Sequence, residues 1–202
     1  MKKWIGMILA ACILLSSSGA LAGGAIPNFL AEPTPAPAPS VPSSTFFSFR
    51  GGIQWNMPRE TVQALESVEL MEQNRDSWSI LLSLSQVTVS RYTADLVYMF
   101  YNDQLKMISY DFGTGSTAAD FQYLTGALDS VYGDHSDPSP ADIIGVMDQI
   151  YPGYYSADRL TLRRGWSTEG TLIYLYYYAE NSFAILYVNA ASVSPVFDTT
   201  GL

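Results

Sequence analysis

The chain has 202 residues, a single cysteine and a formal net charge of −9, with 48% hydrophobic and 14% charged residues. An acidic surface of this kind repels phosphate backbones and argues against nucleic acid as a partner. The apolar excess comes partly from 14 tyrosines, whose rings are amphipathic and do not by themselves indicate a membrane protein.

Residues 1–22 read as a secretory signal. Lys2 and Lys3 precede an apolar run from Trp4 to Leu15, a small polar patch, and then Ala20-Leu21-Ala22 as an Ala-x-Ala cleavage site. The run is shorter than the ~20 residues a spanning helix needs. Two other fates stay open. Leu9-Ala10-Ala11-Cys12 resembles a bacterial lipobox, in which Cys12 would be lipidated, and the segment could also stay uncleaved as an anchor. Cleavage after Ala22 would remove Cys12, so the mature chain could form no disulfide and would depend on packing. It would also remove two lysines and no acid, taking the charge from −9 to −11.

Residues 23–45 form a Pro/Ala-rich spacer. Pro33, Pro35, Pro37 and Pro39 alternate with Thr and Ala, which favours extended polyproline II without a hydrophobic core. This suits a tether at the membrane or a free tail. About 155 residues remain, enough for one domain with a real core.

That domain is expected over residues 46–190. Phe47, Phe49, Ile53 and Trp55 predict a first strand bent at Gly51-Gly52. Met57 to Val68 predicts a helix with Pro58 at its first position, Glu60 in its first turn, and Val62, Leu65 and Val68 on one face. Glu69 to Ser85 is ambiguous and reads as a loop or a short strand. From Gln86 the pattern is an antiparallel meander, with Asn102-Asp103-Gln104 as a turn and a bulge near Lys106, where Leu105 falls out of phase with Ile108, Tyr110 and Phe112. Two helices follow. Thr117 with Asp120 and Ser139 with Asp142 supply capping boxes, Gly133 closes the first helix, and the second stops before Pro152-Gly153. Arg159–Trp166, Thr171–Tyr178 and Phe183–Asn189 read as three further strands, and residues 191–202 as a polar tail. The fold class is α+β: an antiparallel sheet of about six or seven strands with helices packed on one face.

Phe49-Arg50-Gly51-Gly52-Ile53-Gln54-Trp55-Asn56-Met57, followed by Arg59-Glu60 and Val62, resembles the opening motif of a family of small secreted or lipid-anchored bacterial proteins. Tyr98 to Leu105, Val131-Tyr132-Gly133 and Trp166 with Thr171 to Leu175 look like the same pattern continued. The chain is more distantly similar to outer-membrane assembly lipoproteins of the BamE/SmpA type and to β-lactamase-inhibitor-like modules. The resemblance implies interaction rather than catalysis and transfers no catalytic residue. Pro58 stands where a Ser or Thr cap is usual, and Asn56 replaces the usual Gly.

Little catalytic chemistry is on offer. There is no Gly-x-Ser-x-Gly, His-Glu-x-x-His or phosphate loop. His135 is the only histidine, and Asp134, His135 and Asp137 form a weak cation candidate without a calcium-loop motif. No cofactor is expected. Alternation along Thr171–Tyr178 places Ile173, Leu175 and Tyr177 toward the core and Tyr174, Tyr176 and Tyr178 on the opposite face; Tyr154 and Tyr155 join them as candidates for binding a partner or ligand. The competing reading is that a second layer covers this row. The expected function is a secreted or envelope-associated module, non-enzymatic, that binds an envelope protein or cell-wall glycan, with membrane contact only through its N-terminus. A hydrolase of envelope polymer using paired carboxylates and a purely structural scaffold are the alternatives.

Overall fold

The computed structural model describes residues 48–75, 77–168, 170–178 and 182–192. The leader, the spacer, Cys12 and the tail beyond Ser192 lie outside them. Among the described residues no helix is long and apolar enough to cross a membrane.

The fold is α+β, built on one antiparallel sheet of eight strands: β1 Leu70–Arg75, β2 Trp78–Ser83, β3 Val87–Val89, β4 Tyr92–Tyr101, β5 Gln104–Thr114, β6 Leu160–Thr168, β7 Thr171–Tyr178 and β8 Ser182–Asn189. Seven run in the order β1-β2-β4-β5-β8-β7-β6, while β3 pairs with β4. Helix α1 covers Arg59–Leu65, α2 Ala118–Tyr132 and α3 Pro140–Met147.

Over its described residues, 48–55, the expected first strand does not form, and Phe47 lies outside them. Ser48 and Gln54 meet in a single bridge around a tight turn at Arg50–Gly52, because Gly51 and Gly52 take φ of +66° and +77° and fold the segment back on itself. This hook serves the core. Trp55 donates from Nε1 to the buried Thr171 hydroxyl at 2.8 Å, and Phe49 packs edge-on against Trp55 and Tyr187. Asn56 sits at φ +63°, a conformation asparagine tolerates better than most residues. Pro58 is the N-cap of α1 rather than its first helical residue, and the helix is shorter than its apolar pattern suggests.

The ambiguous stretch resolves into the hairpin β1–β2. β1 lies at the sheet edge with mostly exposed or half-buried residues, so it carries no clean apolar alternation. Both capping boxes form as read from the sequence: Thr117 with Asp120, and Ser139 with Asp142. Gly133 terminates α2 at φ +85°.

The helices are not all on one face. Val62 of α1 and Phe121, Leu124 and Leu128 of α2 pack with Leu81, Leu96, Tyr98, Phe100, Ile108, Ile173, Leu175 and Ile185. Ile143, Val146 and Met147 of α3, with Ile150, pack on the other face against Ile80, Met99, Met107, Tyr174, Tyr176, Leu186 and Val188. The crossing is made at the outer edge of β6, where Ser136 exchanges backbone hydrogen bonds with Gly165 at 2.8 and 3.0 Å. A Cβ on Gly165 would lie 3.2 Å from Ser136 Oγ and 3.3 Å from Pro138 Cγ, so a side chain here would press on the linker. Covering both faces explains why β7 and β8 are apolar at nearly every position.

Candidate functional site

The face under α3 holds the candidate tyrosines, and of the two readings the second layer over the row is what the structure has. Tyr174 and Tyr176 are each only 5% exposed, roofed by the second layer and not displayed as an open row. Tyr174 lies near α3; burial, with Asp142 nearby, pushes its hydroxyl up to about 12. Tyr176 is also raised, by burial first and then by the Asp111 carboxylate. Tyr178 is half-buried and stacks edge-on with Tyr155 at 5.5 Å, while Tyr155 meets Tyr154 at 5.0 Å and Tyr151 at 6.4 Å. Arg159 lies 4.6 Å from the Tyr178 ring and Arg75 4.9 Å from Tyr151, both in cation–π geometry. Of the five candidates, Tyr154, Tyr155 and Tyr178 therefore form one aromatic cluster. Only Tyr154, at 42% exposure, is open to solvent.

Two carboxylates belong to the same face. Asp95 of β4 pairs directly with Asp111 of β5, Asp111 with Ala184 of β8, and Ala184 with Tyr176 of β7. Directly opposed residues of antiparallel strands project to one face, so this rung reads Asp, Asp, Ala, Tyr. The bulge expected near Lys106 makes it so. Tyr101↔Gln104 and Phe100↔Leu105 set a register in which Asp95 would face Tyr110, and the extra residue Lys106 shifts Met99 onto Met107 and Asp95 onto Asp111. Burial raises the carboxyl of Asp111 above the ordinary carboxylate range, opposed by the Gly113 amide and reinforced by Asp95. Burial also raises Asp95, against a hydrogen bond with Gln86.

At another end of this face is an open groove of about 460 Å³, lined by Trp78, Tyr101, Lys106, Gln149 and Ser192. Trp78 and Tyr101 are cross-strand neighbours with ring centroids 5.2 Å apart, and Tyr101 is 41% exposed. Lys106 donates from Nζ to Asn56 Oδ1 at 2.7 Å and to Gln104 Oε1 at 2.9 Å. Its ammonium is lowered by desolvation. Asn189 donates to the same Asn56 oxygen at 3.2 Å, so the hook of the opening motif braces one wall.

The residues Asp134, His135 and Asp137 do not converge. His135 Nδ1 lies 2.9 Å from Asp129 Oδ1, and Trp166 donates from Nε1 to that oxygen at 3.0 Å and to Gly133 O at 3.1 Å. The His135 contact chiefly, together with the Trp166 bond, lowers the Asp129 carboxyl below its usual range. Asp137 instead pairs with Arg164 at 2.7 Å, and Asp134 is exposed. This is a clasp between the end of α2 and β6. Among the described residues no group of three or more His, Cys, Asp or Glu side chains could hold a metal ion.

Sequence reasoning missed Asp95, Asp111, Trp78, Tyr101 and Gln149. For the aspartates a signal was present: counting outward from the Asn102-Asp103 turn with one bulged residue brings them opposite each other. No family model, no curated protein and no solved structure matches the chain.

Proposed function

We propose that the protein is a secreted or envelope-associated, non-enzymatic binding module, and that its ligand is a stretch of cell-wall glycan lying in the groove at Trp78 and Tyr101. The observation that carries this reading is a half-open groove that combines an aromatic wall with an ammonium and an amide. Aromatic faces bury the C–H surfaces of a sugar, while a few polar groups fix its orientation. The signal-like leader and proline-rich spacer favour an extracytoplasmic setting, and the resemblance to small envelope modules points to interaction in the same way. Tyr154 is the one tyrosine of the original set open enough to add to a contact surface.

The test is retention of the mature chain on purified cell-wall polymer, with the surface variants Tyr101→Ala, Lys106→Met and Gln149→Ala and with Tyr154→Ala as a comparison. We expect the three groove variants to lose retention while keeping the wild-type circular dichroism spectrum. Equal retention by all would remove the groove from the function. No retention of wild type would turn the search to protein partners.

The Asp95–Asp111 pair favours a second reading, an envelope-polymer hydrolase. Paired carboxylates with separated titrations are what acid–base glycoside cleavage uses. Their position on a sheet rung shared with Ala184 and Tyr176, not across an open cleft, makes it the weaker one. Release of reducing ends by wild type but not by Asp111→Asn would reverse that order.

A further inference from the structure

We propose, on the reading of the groove at Trp78 and Tyr101 as a glycan site, that the glycan it takes is acidic: Lys106 binds a carboxylate of the polymer while Tyr101, backed by Trp78, holds the adjoining sugar face. Apart from Lys2 and Lys3, Lys106 is the only lysine of a chain with a formal net charge of −9. The bulge in β5 places it. Phe100 pairs with Leu105 and Met99 with Met107, so Lys106 is the extra residue between two paired ones. Leu105 buries in the layer of α1 and α2 and Met107 in that of α3. The bulged lysine is thereby released from the pleat alternation, which is how bulges re-aim a side chain beside a binding site. It lines the groove with Trp78, Tyr101, Gln149 and Ser192.

The ammonium is fixed there but not neutralised. It has three N–H donors, of which one goes to Asn56 Oδ1 at 2.7 Å and one to Gln104 Oε1 at 2.9 Å. Both acceptors are uncharged amide oxygens, and no ion pair among the described residues includes Lys106. Asn189 donates to the same Asn56 oxygen at 3.2 Å, which holds that acceptor in place. Neighbouring acids are engaged elsewhere. Asp103 accepts from the Arg59 backbone N–H at 3.3 Å, and Asp148, next to Gln149, accepts from that of Gly153 at 3.1 Å. The arginines make the contrast: Arg50, Arg59, Arg91 and Arg164 each meet a carboxylate, and Arg75 and Arg159 lie over tyrosine rings.

A cation that is desolvated without a counter-charge is disfavoured, and the Lys106 ammonium is lowered for that reason. An incoming carboxylate reverses the cost. One ammonium with one donor to spare matches one carboxylate oxygen in a charge-assisted bond. Tyr101, 41% exposed, offers the ring face for the C–H side of the sugar, with Trp78 behind it at 5.2 Å. The acidic remainder of the protein repels a polymer of dense charge, so the ligand class is a glycan with carboxylates spaced along otherwise neutral sugars.

The test is titration of the full chain with two matched probes: peptide-free cell-wall glycan strands with free lactyl carboxylates, and the same strands with those groups converted to methyl amides. We expect wild type to bind the acidic strands about tenfold more tightly, the scale of one hydrogen bond to a charged group, with the difference shrinking between about 0.05 M and about 0.5 M salt. Lys106→Gln should bind both forms at the amidated level, and Lys106→Arg should keep the preference, each with the wild-type circular dichroism spectrum. Tyr101→Ala should weaken both forms and preserve their ratio. The comparison of the two probes on wild type decides even where Lys106→Gln fails to fold. Equal binding of the two forms by wild type, or an undiminished preference in Lys106→Gln, would overturn the proposal and leave the groove a neutral glycan site. Binding of neither form by wild type would overturn it together with the reading of the groove as a glycan site.

Discussion

The two faces of the sheet are built on different electrostatic terms. Under α1 and α2, several polar groups that enter the core find partners, although Arg59 Nε and Arg164 Nε, the latter beside Phe121, have none among the described residues. Glu66, with its side chain only 1% exposed, pairs with Arg50 at 3.2 Å and accepts from the Tyr98 hydroxyl at 2.5 Å; Trp55 reaches Thr171, and Trp166 reaches Asp129. Under α3, two aspartates oppose each other, and among the described residues neither forms an ion pair and the buried Tyr178 hydroxyl has no hydrogen-bond partner. Buried polar groups are normally satisfied, and exceptions tend to mark places held for a purpose other than stability. What sets the second face apart is the directly opposed pair of carboxylates.

Loss of packing should produce the largest effects and test whether both layers are integral. Phe121→Ala, removing a buried ring from α2, should cost about 3–5 kcal/mol in urea unfolding. Met147→Ala on α3 should cost about 2–5 kcal/mol if the second layer is equally firm; a value well below that range would make it a loosely docked cover. Next comes Glu66→Ala, which strands Arg50 and leaves Tyr98 without its acceptor. Because Arg50 is a third exposed, the expected loss is about 1–3 kcal/mol, with the Tyr98→Phe variant showing less of a further loss in the Glu66→Ala background.

Cap deletion is smaller and more local. Thr117→Ala and Ser139→Ala each remove a side-chain acceptor from a capping box and should cost about 1 kcal/mol. The first should leave the groove and tyrosine cover unchanged, and the second should raise exchange in α3.

The smallest energetic effect has the clearest signature, its dependence on pH. Asp120, held down chiefly by Thr117, and Asp129, held down chiefly by His135, lie below the model-compound value of 3.8. Their folded state binds protons more weakly, so their contribution is present above that value and lost as pH falls through the lower folded one. Asp95 and Asp111 have the opposite sign: their destabilisation is absent at low pH and develops as pH rises from about 4 through the raised range. Asp111→Asn should therefore stabilise the protein at neutral pH, by up to about 1 kcal/mol, and should do nothing at pH 3. Thermal melts across pH check both halves of the statement.

Local chemistry was legible from the residues. The capping boxes at Thr117 and Ser139, the Asn102-Asp103 turn and the bulge at Lys106 depend on side-chain or backbone preferences within a few positions, and each formed where the residues indicated. The strand at Phe47–Trp55 was misread because apolar alternation outweighed a Gly-Gly pair whose positive φ turns the chain back. The hairpin β1–β2 was obscured because an edge strand buries little and so shows no period. Helices on one face were expected because alternation was sought in β7, although its unbroken apolar run already suited a strand covered on both sides.

By itself, then, the sequence determined the α+β class, most element boundaries from the meander onward, and the bulge at Lys106, because pleat, caps and turn lengths are short-range constraints. Only the tertiary structure decided that the chain crosses the edge of β6, that α3 roofs Tyr174 and Tyr176, and that Asp95 and Asp111 share a rung with Tyr176. Those outcomes depend on burying two apolar sheet faces at once, a condition satisfied by the whole chain and by no window of it.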